Sequence, residues 1–285
     1  MLHGALAGLA AGGVYAVLGV CLTVMYRLAG VISFGLAAVG MAGVYVMLAL
    51  YGAGAPYPVA APAGVLAAGL LAGVLGLVTV HWFAESGPDT RSAVTIAYLV
   101  GIVAISYLLW GDHPRPVPAP VHGPLLHIAG VVVTKSSAVS IALAAVLAVV
   151  VQAILGRTTV GLKLRALSER PTTAELLGVP VRPLVVATWF STGALVCLGL
   201  VLIAPERTSD QFSLSLLVVP GCAAALIGGL RHVYGALVGG LLVGVLQGVF
   251  SQVDVLQKFR DAAPFFVILL ILVWSRRQEV WDAAH

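Results

Sequence analysis

From residue 28 to residue 80 the chain carries no formally charged side chain and is built almost wholly from Leu, Val, Ala, Gly and Met. A membrane-spanning helix takes about 20 apolar residues, so this run is too long for one span. In hydrocarbon the backbone must satisfy its own hydrogen bonds, which leaves helices and closed barrels as the only spanning structures. The break falls at residues 51–58, YGAGAPYP, whose Gly and Pro end helices. Spans are expected near 29–50 and 58–81. The whole chain repeats this texture. Of its 285 residues 60% are hydrophobic and 9% charged, against about 25% charged in a soluble protein. Mean hydropathy is +1.07. The expectation is an all-α polytopic membrane protein of about eight to nine transmembrane helices. It forms a single transmembrane domain over 1–285, with no room for a separate soluble domain.

The remaining spans follow from the polar punctuation. Residues 2–26 lack a basic start and run too long for a cleaved signal peptide, so they read as the first span. Further spans are expected at 92–110, 136–156, 183–204, 212–230, 233–250 and, shorter, 264–274. Gly4, Gly8, Gly12 and Gly13 make a small-residue ridge of the kind that lets helices approach closely in membranes. Between Asp112 and Lys135 the prolines exclude a span and predict an irregular external loop, with short β pieces near 125–134. His113, His122 and His127 lack metal-ligand spacing on a defined element, so no metal site is expected. Cys21, Cys197 and Cys222 lie inside apolar runs and read as buried free thiols. A net charge of +4 and a pI near 9.1 come from short loops, where insertion topology places positive charge, and do not indicate nucleic-acid binding.

One polar insert stands apart. Residues 157–182 carry Arg157, Lys163, Arg165, Arg170 and Arg182 of the fifteen Lys and Arg residues, with Glu169 and Glu175. Flanked by spans and rich in positive charge, the insert belongs in water on the cytoplasmic side. Thr158 or Thr159 can cap a first helix, and Pro171 disfavours helix at Arg170. Pro171 is acceptable as the first residue of a second helix, which stops at Gly178 in a left-handed cap. Leu162, Ala166, Leu176 and Leu177 form the expected apolar side of this knob, facing the protein or a docked partner. Read from the residues alone, the insert is either a docking element or a solvated connector.

The pattern G-x-x-L-R-A-x-x-E-x-P-x-x-A-x-x-L-G-V over 161–179 resembles the cytoplasmic loop of branched-chain amino acid ABC transporter permeases. The match runs through Arg165, Ala166, Glu169, Pro171, Ala174, Leu177 and Gly178, with Arg170 where the family often carries an acid. Residues 30–45 resemble the same family at Ser33, Phe34, Gly35, Gly40, Met41, Gly43 and Tyr45. Leu36, Ala37 and Ala38 stand where the family often has a His-Gly-acid group, which implies a less polar lining. Gly228, Gly229, Gly235, Ala236, Gly239, Gly240 and Gly244 match its glycine-rich pair.

The resemblance implies the membrane subunit of an ABC importer in the bacterial cytoplasmic membrane, forming the path for a small polar solute, with branched-chain amino acids as the family default. Other amino acids, urea or short amides, and sugars stay open. It implies separate ATPase subunits that bind ATP and Mg, a second permease (identical or a paralogue), and an extracytoplasmic substrate-binding protein. The loop through Arg165–Gly178 would be the coupling element. Ser33, Phe34, Gly35, Gly40, Gly228, Gly229, Gly239 and Gly240 would serve the translocation path or helix packing. No G-x-x-x-x-G-K-S/T occurs, so no ATP site is expected in this chain. No cofactor is expected in it either. An ion-coupled secondary transporter is the alternative, but such proteins place ionisable residues within spans, and these spans hold almost none. A membrane enzyme would need a cluster of His, Asp or Glu that the sequence lacks.

Charge bias puts 112–135 outside and 157–182 inside, giving nine crossings and an external N-terminus, or eight if 29–50 re-enters. In a background without Cys21, Cys197 and Cys222, His122→Cys should react with an impermeant thiol reagent on intact cells and Thr172→Cys should not. The reverse labelling pattern would overturn the assignment.

Overall fold

The computed structural model describes residues 2–83, 86–113, 115–118, 124–128, 131–169, 174, 176, 178–206 and 210–282. In chain order the elements are α1 (Leu2–Ala29), α2 (Leu36–Gly52), α3 (Tyr57–Trp82), α4 (Pro88–Trp110), β1 (Pro124–Ile128), β2 (Val131–Thr134), α5 (Lys135–Arg157) and α6 (Thr159–Glu169). They continue with α7 (Val181–Ile203), α8 (Gln211–Ser215), α9 (Val218–Ile227), α10 (Val233–Phe250), α11 (Asp254–Gln257) and α12 (Ala263–Asp282). Among the described residues six helices are long and apolar enough to cross a membrane, namely α1, α3, α4, α5, α7 and α10. The fold class is all-α and polytopic. Its one exception among the described residues is the antiparallel β1–β2 hairpin, with His127 opposite Val132, where short β pieces are expected. His122 lies outside the described residues. No group of three or more His, Cys, Asp or Glu able to hold a metal occurs among them. The three cysteines are free and buried.

Turn chemistry sets the ends. Gly54 takes a positive φ of 95° between α2 and α3, and prolines sit in the first turns of α3 and α4, where a missing N–H costs nothing. The run at 212–230, expected as one span, is instead two helices interrupted at Leu216 and Leu217. Pro220 is the physical reason. It cannot donate to the carbonyl of Leu216, and its ring displaces that carbonyl. The last helix is longer than expected, since α12 continues past Trp274 to Asp282.

Close backbone approach decides which helices touch. The helix α1 is the central element, packed on α5, α7, α9 and α10. Along the α1–α10 seam a Cβ at Gly4 would fall on the carbonyl of Gly248, one at Gly8 on Gly244, and one at Gly240 on the backbone of Ala16. The pairing order makes these helices antiparallel. A second seam joins α3 to α7, where Gly76 lies under the Trp189 ring, Gly69 under Phe190 and Gly193 against Ala72. The helix α2 joins it, with Gly43 against Gly64 and Gly40 against Val196 and Leu200.

The same contacts settle how residues 36–52 run. Gly35 lies beside Thr95 and Tyr98, near the start of α4, while the Tyr45 ring lies 5.6 Å from Trp110, at its end. So α2 traverses the bundle alongside α4 and does not turn back. Among the described residues, α2, the α8–α9 pair and α12 stand beside the six long apolar helices α1, α3, α4, α5, α7 and α10.

Replacing a seam glycine forces backbones apart, and overpacking typically costs about 1–3 kcal/mol and sometimes more. Gly240→Leu and Gly244→Leu should sharply lower the yield of monodisperse protein in detergent. Gly101→Leu should not, because a Cβ there meets nothing within 4 Å. Equal yields and equal melting of all three would show the seam to be incidental.

Candidate functional site

A cavity of about 400 Å³ lies between α1, the broken α8–α9 segment, α10 and the turn before α12. Its wall is the helix break. The Asp210 carboxylate caps α8 by accepting from the Ser213 amide at 2.9 Å. The chain then unwinds at Leu216–Leu217 and resumes as α9 with Val219 and Pro220 on the cavity. Discontinuous helices are where many transporters place their substrates. The floor is polar. The Tyr15 hydroxyl donates to Gln247 Oε1 at 2.6 Å, and both residues are buried. At the mouth Arg260 and Asp261, in a 3₁₀ turn, stand with Phe265. Neither charge has an ion-pair partner among the described residues.

A second polar cluster holds the link between α1 and α2. Thr95, fully buried, accepts from the Phe34 amide at 3.0 Å and lies 3.0 Å from the Ile32 carbonyl and 2.7 Å from that of Ser92. One hydroxyl thus fastens the non-helical link to α4. Nearby, Tyr98 and Thr79 share a hydrogen bond of 3.1 Å, and the Tyr98 ring meets Trp189 edge-on at 6.4 Å. Ser33 Oγ and Trp189 Nε1 are buried without a hydrogen-bond partner.

These placements locate the residues singled out in the sequence. Ser33, Phe34 and Gly35 form the Thr95-held link. Gly40 packs on α7, Gly239 on Ala224 and Ile227 of α9, and Gly240 on α1. Gly228 and Gly229 make the turn from α9 to α10, with Gly229 at φ 62°. None of them lines the cavity. Tyr15, Ser213, Gln247, Arg260 and Asp261 do, and sequence reasoning passed over them. Gln247 carried a usable signal, a polar side chain inside an apolar span, but it stood among glycines that drew the reading to themselves.

At the opposite end of the helices lies the inserted loop. Thr158 caps α6, accepting from the Gly161 amide at 3.0 Å and donating to the Ile154 carbonyl at 2.7 Å. Gly161, Leu164 and Leu167 form the buried stripe, facing α5 and α1. Of the two orientations expected for the apolar side, towards the protein or towards a docked partner, the described residues do not take the first. Leu162 and Ala166 are exposed, as is Leu176 at 88%, so these residues face away from the protein. Arg165 is exposed, and Glu169 ends α6. Arg170, Pro171 and Leu177 lie outside the described residues, while Ala174 is buried and helical. Gly178 adopts φ 79°, and the Val179 amide donates to the Ala174 carbonyl at 3.0 Å. That is the long bond of a Schellman cap with glycine in its left-handed position.

The family described as branched-chain amino acid transport system, permease component, matches residues 4–273. The chain belongs to this family. The probable branched-chain amino acid transport permease protein LivH of Methanocaldococcus jannaschii is 31% identical over 98 residues, 34% of this chain and 31% of that protein. The high-affinity branched-chain amino acid transport system permease protein LivH of Salmonella typhimurium is 22% identical over 282 residues, 93% of this chain and 91% of that one. A solved structure, PsaBC from Streptococcus pneumoniae in complex with Fab, aligns at a TM-score of 0.49 and 13% identity over 93% of this chain and 89% of that one. A likeness at that level carries no argument about substrate or mechanism. The permease is a multi-pass membrane protein, and its family match extends over every cavity-lining residue and the inserted loop.

The left-handed cap gives the loop a specific weakness. A residue other than glycine at such a φ costs about 1–2 kcal/mol. Gly178→Val should therefore loosen the loop while sparing membrane insertion, with protease cutting within 161–179 several-fold faster than in wild type. Unchanged cleavage would show that the cap does not hold the loop.

Proposed function

We propose that this permease forms the translocation path for branched-chain or related amino acids in an ABC importer of the bacterial cytoplasmic membrane, beside a second permease that is a copy or a paralogue. The carrying observation is the family match over residues 4–273. The cavity against the α8–α9 break supports that reading. Separate ATPase subunits bind ATP and Mg and drive the cycle, and this chain hydrolyses nothing itself. They dock on the loop through Arg165, Ala166, Glu169, Pro171, Ala174, Leu177 and Gly178. Supporting this is the outward apolar surface of Val160, Leu162 and Leu176, which no element of the chain covers among the described residues. A substrate-binding protein delivers solute at the cavity mouth.

An ion-gradient mechanism is the rival. Coupling ions are held by ionisable groups inside the membrane, and among the described residues no Asp, Glu, Lys or Arg is buried. The deciding experiment is uptake into proteoliposomes holding the permease together with the ATPase subunits and binding protein that co-purify with it. Leucine accumulation should need internal ATP and survive an ionophore that collapses all gradients. Accumulation without ATPase, abolished by the ionophore, would overturn the proposal.

A further inference from the structure

A second cavity, of about 290 Å³, lies where the end of α3 meets the start of α7, lined by Leu77, Val78, Val80, His81, Trp82 and Arg182. Arg182 closes the inserted loop, which charge bias places in the cytoplasm, and it stands in the first turn of α7. The end of α3 therefore reaches the same membrane face. The lining is of two kinds. Leu77, Val78 and Val80 are apolar, while the Arg182 guanidinium has no hydrogen bond or ion pair among the described residues. His81 and Trp82 complete it, their rings 6.0 Å apart and edge to face, with Trp82 exposed. Arg91 donates through Nε to the Phe83 carbonyl at 3.0 Å, so a second cation is held against the residue after Trp82. From Leu77 an outward stripe runs along α3 through Val74, Leu70 and Leu66, each more than half exposed. Their spacing keeps them on one helix face. At the helical rise the stripe covers about 16 Å, close to one leaflet of a hydrocarbon core about 30 Å thick.

We infer that this cavity binds an anionic phospholipid of the cytoplasmic leaflet. Arg182 takes the phosphate diester, a group that a guanidinium meets with two parallel hydrogen bonds. Trp82 lies at headgroup level, where an indole has one apolar side and one wet side. An acyl chain enters over Leu77 and follows the α3 stripe. A free phosphate would leave Leu77, Val78 and Val80 unanswered. A zwitterionic lipid brings its own cation, which competes with Arg182 for the phosphate. Basic pockets between helices on the cytoplasmic side suit anionic headgroups for this reason. The site shares no lining residue with the cavity at the α8–α9 break, so it holds the protein to its membrane and stands apart from the solute path. Gly178 caps the loop only four residues before Arg182. An occupied site thus ties that end of the loop to the membrane surface.

The test takes the permease, alone and with its co-purifying subunits, from nanodiscs of equal phosphatidylglycerol and phosphatidylcholine and counts retained lipids by native mass spectrometry. Wild type should retain phosphatidylglycerol over phosphatidylcholine about fivefold, the preference that one basic residue at the surface supplies, and should keep it in excess inorganic phosphate. Arg182→Gln should abolish most of that preference and Arg182→Lys should lower it less. Arg157→Gln, at an exposed arginine of the same loop outside the cavity, should leave it unchanged. Trp82→Ala should lower total retention of lipid with no change of charge, which keeps the site testable if Arg182→Gln fails to insert. Equal retention of the two lipids by wild type, or an equal loss in Arg157→Gln, would overturn the site, because general surface charge would then account for the binding. Displacement by inorganic phosphate would overturn it as well, leaving an anion site without a lipid. Lipid held by the isolated permease but absent from the complex would also overturn it, assigning the cavity to a subunit contact.

Discussion

The bundle depends on glycine backbones in direct contact. Between helices in hydrocarbon the hydrophobic effect does not operate, because lipid tails are as apolar as the side chains they would replace. Association then relies on how many atoms can touch, and glycine brings whole backbones within reach. The helix α1 meets α10 at Gly4, Gly8 and Gly12 against Gly248, Gly244 and the Gly240–Leu241 step. The helix α9 is drawn onto α1 where Gly221 meets Leu18, and onto α10 where Gly239 meets Ala224. Beyond that level no such contact holds the α8–α9 break at Leu216–Leu217. The gap left there is the cavity, so the contacts that hold the helices together also determine where they separate.

Polar groups divide in a related way. Most hydroxyls inside the helices bond their own backbone three or four residues back, as Thr23 does to Gly19, Thr188 to Leu184 and Ser191 to Thr188. These bonds join nothing to anything else. Some cross between helices, as Ser140 does to the Ala10 carbonyl and Thr79 to Tyr98, and others stand where helices break or end. Thr95 holds the link at Ile32 and Phe34, Gln211 reaches the Gly111 carbonyl at the end of α4, and Tyr15 meets Gln247 at the cavity floor. Interhelical hydrogen bonds in membranes average only about 0.6 kcal/mol, so their value here is positional. Thr95 and Gln211 each fix a segment where a backbone ladder has ended, and Tyr15 and Gln247 tie two intact helices together.

The spans were legible because charge and proline punctuate them. Gly178 and Thr158 were legible because caps need particular residues. The interruption at Leu216–Leu217 was not read, although Pro220 three residues on carried the information, because the surrounding run is uniformly apolar. Which face of α6 turns inward was left open by the sequence. Leu162 and Ala166 fit a helical period as well as Leu164 and Leu167 do. What decides between them is the close fit of Gly161 under the carbonyl of Ile154, a contact between elements. The cavity was illegible for a further reason. Tyr15, Gln247 and Arg260 are distant in sequence and share no spacing, and only the antiparallel α1–α10 seam brings the first two together.

That seam also bears on how the two ends of the molecule communicate. The inserted loop and the cavity lie at opposite ends of the bundle. The helix α6 packs on α5 and on α1, and α1 carries Tyr15 to the cavity floor. A force applied to α6 by a closing ATPase, on the proposed function, therefore reaches the cavity through α1. Side-chain interfaces can absorb a small displacement by changing rotamers, but backbone against backbone has none to change. So α1 and α10 should move as one body, carrying Tyr15 and Gln247 together and preserving their hydrogen bond. The α8–α9 break has no glycine seam on the cavity side, so it is the wall past which that body can slide. Coupling of this kind needs two packings of one interface, and the interrupted helix is the one wall of the cavity where a second packing leaves the seams intact.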